Sequence, residues 1–218
     1  MIKWAFLAAL LGAAAMPGAA NAAPASEAQW IAAATSAVAF AQAEGLPITL
    51  VIEQGDGLPG HTPVGIASED GRCTLLVSAR DNPTADKVSA MVAPELQDLF
   101  LTGAAMHEVG HCFRRLQGYP HNEKLLPVVA WIAPVRDWFA RRVRTEEAYA
   151  DMTEAAWLAR FHPAQFDAVM NEVRKVRLRF REPKHDTLHW IDNAIVQGPI
   201  DNGQNLFLMA QQHLLAYQ

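Results

Sequence analysis

Two histidines four positions apart, His107 and His111, lie in a segment whose apolar residues leave it little choice of conformation. Leu96, Leu99, Phe100, Met106, Val109, Phe113 and Leu116 recur at helical spacing after Pro94, and Gly118 followed by Pro120 supplies the stop. A helix turns once in about 3.6 residues, so the side chains at 107 and 111 emerge from one face and meet the same neighbour. Glu108 is rotated about 100° from His107 and stands beside that column rather than in it. Gly110 costs the helix about 1 kcal/mol relative to alanine, and a glycine in that place signals close approach of another element. Whatever packs on this helix must come close and must satisfy two imidazoles.

The sequence His-Glu-Val-Gly-His on a helix meets the requirements of the HExxH zinc motif, in which two imidazoles converge on one ion and the glutamate reaches a water on its open side. Such a site needs a third protein ligand. The stretch RTEEAYADMTEAAWLAR, residues 144–160, reads as a second helix in which Glu147 and Asp151 share a face one turn apart. Glu147 completes a set of two histidines and a glutamate, and Asp151 can accept the second N–H of a ligand imidazole and fix its tautomer. Glu146 is the rival ligand, but Ala150 one turn later can orient nothing. Without the histidine pair, Glu147 and Asp151 read as an ordinary solvated face.

Residues 26–44 read as a helix stopped by Gly45 and Pro47, and Ile48–Ile52 and Cys73–Ala79 as strands separated by the turn-rich QGDGLPGHTPVG. Residues 125–143 join an apolar, proline-containing stretch to tryptophans and arginines. They read as a packed connector between the two helices, with a membrane interface as the alternative. Phe166, Val169, Met170, Val173, Val176 and Phe180 form one helical stripe, which makes the basic run at 173–181 a solvated arginine face rather than a site for anionic lipid or polysaccharide.

The opening run has one lysine, an apolar stretch from Trp4 to Met16, then Pro17, Gly18 and small residues ending at Ala22. That order is expected of a secretory signal peptide, residues 1–22, followed by a single domain over residues 23–218 with no further segment able to cross a membrane. Without Lys3, 17 Lys and Arg face 23 Asp and Glu, which argues against nucleic acid as a partner. An exported, periplasmic or secreted chain can oxidise its two cysteines, Cys73 and Cys112, and a bridge would contribute about 3 to 4 kcal/mol; two buried thiols are the alternative.

HEVGH at 107–111 followed by EAYAD at 147–151 resembles the gluzincin metallopeptidases, whose signature is HExxH and then ExxxD. The ExxAD form looks like the branch containing the CAAX prenyl proteases and bacterial HtpX-type peptidases. The resemblance covers two helices and implies Zn2+ ligands at His107, His111 and Glu147, a catalytic Glu108 and a supporting Asp151. It implies an α+β, zincin-like fold: a small mixed sheet, an active-site helix and a further helical bundle. In that fold an edge strand holds the substrate, and Cys73–Ala79 is the natural match. The chain lacks the transmembrane helices of those relatives, so their membrane substrates are not implied.

The expected chemistry is hydrolysis of a peptide or protein substrate, with Glu108 taking a proton from an attacking water and handing it to the leaving amine. The oxyanion needs a further donor, for which His185 is the first choice: it follows Pro183 and precedes Asp186 and Thr187, either a plausible helix cap. His189 lies one turn further on, and Tyr149, rotated about 200° from Glu147, should point away from the metal. A non-catalytic zincin-fold binding module of the cell envelope, in possible peripheral contact with it, is the second class of function.

Overall fold

The computed structural model describes residues 22–53, 62–119 and 133–217. The expected leader up to residue 21, most of the turn-rich stretch and residues 120–132 lie outside the described residues. Helix α1 (Glu27–Ala43) starts at Ser26, which forms a capping box with Gln29, and ends where Gly45 turns to φ 84°. Its buried face is mainly alanine (Ala33, Ala34, Ala37, Ala41) and packs against the histidine helix.

Three strands follow: β1 (Ile48–Ile52), β2 (Val64–Glu69) and β3 (Arg72–Val77). The sheet order is β1-β3-β2, with β1 parallel and β2 antiparallel to β3. Asp70 and Gly71 join β2 to β3 with φ of 47° and 71°, the two positive values of a type I′ hairpin. There is no strand signal in the sequence at Val64–Glu69, which carries little apolar alternation, and in the fold none of its residues is fully buried.

One expectation is overturned here. The strand read as Cys73–Ala79 is not an edge: β3 is hydrogen-bonded on both sides and buries Cys73, Leu75 and Val77. The edges among the described residues are β1 and β2, and Arg115 of the histidine helix already donates to the Ile66 carbonyl of β2 at 2.9 Å.

The short helix α2 (Pro83–Ser89) is capped by Asn82, whose side chain accepts from the backbone of Thr84 and Ala85. A 3-10 turn at Pro94–Leu96 leads into α3 (Gln97–Leu116), which carries HEVGH. Then come α4 (Ala133–Phe161), α5 (Phe166–Arg179), α6 (Leu188–Gln197) and α7 (Leu206–Ala216). The described residues thus form an α+β fold with seven α-helices and a small mixed sheet. No described helix is long and apolar enough to cross a membrane.

Besides the packing of α1, two further contacts hold α3 in place. A disulfide joins Cys73 in the middle of the sheet to Cys112, next to His111. On its other side α3 runs antiparallel to α4, with Gly103 opposite Glu154, His107 opposite Asp151 and Arg114 opposite Glu146. Gly110 is where the backbones come closest: a Cβ there would lie 2.7 Å from Thr153 Oγ1 and 3.1 Å from Ala150 Cα. The glycine is thus explained by the approach of α4.

Candidate metal centre

His107, His111 and Glu147 are all buried, and their ligand atoms converge within 4.8 Å of one another. His107 Nε2 lies 3.1 Å from His111 Nε2 and 3.5 Å from Glu147 Oε2, and His111 Nε2 lies 3.6 Å from Glu147 Oε1. A tetrahedral ion with bonds of about 2.0 to 2.1 Å has ligands separated by about 3.3 Å, so the three side chains are already spaced as a metal would hold them. Two imidazoles and one carboxylate form a donor set suited to zinc and its neighbours in the first transition row.

The His107 ring is held from behind: its Nδ1 lies 2.9 Å from Asp151 Oδ1, so that with a metal on Nε2 the ring proton would sit on Nδ1 and be donated to that carboxylate. Asp151 is fully buried, and Arg177 Nη2 donates to the same Oδ1 at 2.6 Å while Thr187 Oγ1 donates to Oδ2. Burial opposes the Asp151 charge, but Arg177 and His107 outweigh it and hold the carboxyl down at about 2. Burial also opposes a charged His107 ring, and Asp151 and Glu147 overcome it, raising the ring to about 10. Glu147 is likewise held well below the usual carboxylate range by His111 and His107 against the cost of burial. A proton on His107 is thus favoured between the Asp151 and Glu147 carboxylates.

Glu108 is half-buried beside this column, and burial pushes its carboxyl up to about 7, with Glu147 adding to the rise and His107 opposing it. His185 ends a 3-10 turn (Pro183–His185) that brings its Nε2 to 3.8 Å from Glu147 Oε1, with about a third of its side chain exposed. Thr187 occupies the N-cap position of α6 but makes no side-chain cap bond, since its hydroxyl goes to Asp151 instead. His189 is exposed on α6. Tyr149 points away from the cluster and donates to the Phe207 carbonyl at 3.0 Å. Glu146 is taken by Arg114 through two hydrogen bonds of 2.7 and 2.9 Å, which removes it from contention as a ligand.

Two residues of this site carry no role in the sequence reading. Arg177 belongs to the run at 173–181 read as a solvated face, and that reading fails at this position because the side chain turns inward to Asp151. The available signal was its spacing: Phe166, Met170, Val173 and Arg177 follow one another on the buried side of α5. Glu154 is also buried, and its Oε1 has no hydrogen-bond partner among the described residues. Burial and the nearby Asp151 push its carboxyl up to about 8. Glu147, Asp151 and Glu154 recur at four and three residues, so Glu154 extends the same stripe. Of the expected connector, residues 125–132 lie outside the described residues and 133–143 form the start of α4, with Arg142 over the half-exposed Trp138 ring.

Compared with known proteins, the chain matches no protein-family model, no curated protein and no solved structure.

Proposed function

We propose that the chain is an exported zinc-dependent metallopeptidase, with a single zincin-like domain over residues 23–218. The observation that carries this reading is the convergence of His107 Nε2, His111 Nε2 and the Glu147 carboxylate at the mutual spacing of tetrahedral ligands. Three protein ligands leave a fourth position open, the arrangement of catalytic rather than structural zinc sites. When bound, zinc supplies Lewis acidity that polarises a peptide carbonyl and makes a water easier to deprotonate.

The chain's own residues supply the rest. Glu108 stands outside the ligand column and so remains available as a base: it accepts the proton of the attacking water and returns it to the leaving amine. Asp151, 2.9 Å from Nδ1 of His107, would hold the ring proton there and leave Nε2 to the metal. His185, on the exposed side of Glu147, is placed to donate to the oxyanion that develops on the carbonyl oxygen. Export is supported by the leader-like opening sequence and by the disulfide, a bond that persists in oxidising compartments.

The test is Glu108→Gln in the purified exported chain. The substitution keeps shape and ligands, so zinc content should equal that of the parent, while cleavage of a peptide library falls by about two orders of magnitude or more. A variant that cleaves as fast as the parent refutes the mechanism. A parent that binds zinc and cleaves nothing identifies a binding module instead.

A further inference from the structure

We propose that Arg177 is a positioning residue of this centre, acting on the metal through Asp151 and His107; the inference rests on the metal site proposed above. The guanidinium Nη2 donates to Asp151 Oδ1 at 2.6 Å, an oxygen 2.9 Å from His107 Nδ1, and itself lies 3.3 Å from that Nδ1. With Thr187 on Oδ2, the carboxylate is held at both oxygens and cannot rotate. The His107 ring, tied to that carboxylate, is fixed in orientation, and with a metal on Nε2 its proton would stay on Nδ1. Arg177 is delivered by α5, whose Phe166, Met170 and Val173 are buried on the same side, and its side chain is one quarter exposed while Asp151 is wholly buried.

Charge alone would give Arg177 the opposite effect. Its Nη2 lies 4.0 Å from Glu147 Oε2, so its positive charge repels a cation bound by that carboxylate. If electrostatics governed, removing the charge would tighten metal binding; if positioning governs, removing the planar donor loosens it. Lysine separates the two, because it keeps the charge and loses the rigid fork.

The experiment measures Zn2+ affinity by chelator competition, and the Co2+ absorption spectrum, for the parent, Arg177→Met, Arg177→Lys and the control Arg174→Met. Arg174 pairs with Asp192 at the surface, away from the cluster. Arg177→Met should weaken Zn2+ binding by about 10 to 100-fold and perturb the tetrahedral Co2+ spectrum, Arg177→Lys should recover part of the loss, and Arg174→Met should match the parent. A folded Arg177→Met that binds Zn2+ as tightly as the parent, or more tightly, overturns the inference and leaves the metal site standing. A parent that binds no Zn2+ overturns the metal site itself. In that case the orientation of the His107 ring, read from nuclear Overhauser contacts in metal-free protein, still decides the positioning role: it should change in Arg177→Met, and an unchanged orientation refutes it. If Arg177→Met does not fold, Arg177→Lys carries both measurements, with a shift from the parent expected and identity with the parent refuting the proposal.

Discussion

Gly110→Ala should separate the two helices that carry the proposed ligands and weaken the proposed metal site from a position that is not itself a ligand. In an exposed helix the change would stabilise the protein by about 1 kcal/mol, because alanine restricts the unfolded chain and glycine does not. Here the new methyl meets Thr153 Oγ1 at 2.7 Å, Thr153 Cβ at 2.9 Å and the Ala150 Cα at 3.1 Å. Thr153 is not free to swing away, since its hydroxyl donates to the Tyr149 carbonyl at 3.0 Å, and Ala150 presents backbone. The clash is relieved only by moving α4 outward by several tenths of an ångström. Overpacking of this kind costs about 1 to 3 kcal/mol. Set against the helix gain, the net loss reaches about 2 kcal/mol, or up to about 8 °C in Tm for a domain of this size. Glu147 moves with Ala150, so its distances of 3.5 and 3.6 Å to the histidines should lengthen and Zn2+ affinity fall by about tenfold or more. Thermal unfolding of metal-free protein and chelator competition measure the two effects separately. A variant with raised Tm and parental Zn2+ affinity would refute the account of helix approach. Gly103→Ala is the contrasting case: its methyl meets the carboxyl end of Glu154, a side chain that can shift, so the loss should be smaller.

Two further outcomes are expected. Glu147→Ala should abolish stoichiometric zinc, whereas Glu146→Ala should retain it and instead lower Tm by leaving Arg114 buried without its carboxylate; metal analysis and melting of both variants check this. Glu154 has a folded-state pKa raised from about 4.5 to about 8, so its neutral form suits the fold and its stability contribution is complete below about pH 4.5 and lost as pH rises through about 8. The loss is up to about 1.4 kcal/mol per pH unit across that window, and Glu154→Gln, which cannot ionise, should gain most over the parent at the alkaline end in denaturant titrations; equal stability differences at pH 5 and pH 8 would refute it.

Local order was legible along the chain wherever one helix or turn suffices to define it. Apolar spacing put His107 and His111 on one face of α3 and Glu147 and Asp151 on one face of α4, and Gly110 announced a close neighbour before that neighbour was known. With only two cysteines the disulfide partners followed from the count, and Gly45 and Gly118 marked helix ends. These signals are readable because they depend on residues a few positions apart, or on chemistry so scarce that few partners exist. What the fold alone decided is who stands behind that first row. β3 became the central strand because β1 reaches it in parallel across the intervening chain while β2 folds back on it through Asp70-Gly71, and no periodicity within β3 distinguishes a centre from an edge when one face is buried either way. Arg177 and Thr187 reach Asp151 from α5 and the start of α6, and the run around Arg177 is as basic as any solvated helix face. Periodicity reports which side of its own axis a residue occupies; whether that side meets water or a buried carboxylate is set by the packing of α5 and α6 against α3 and α4, which depends on the whole core at once.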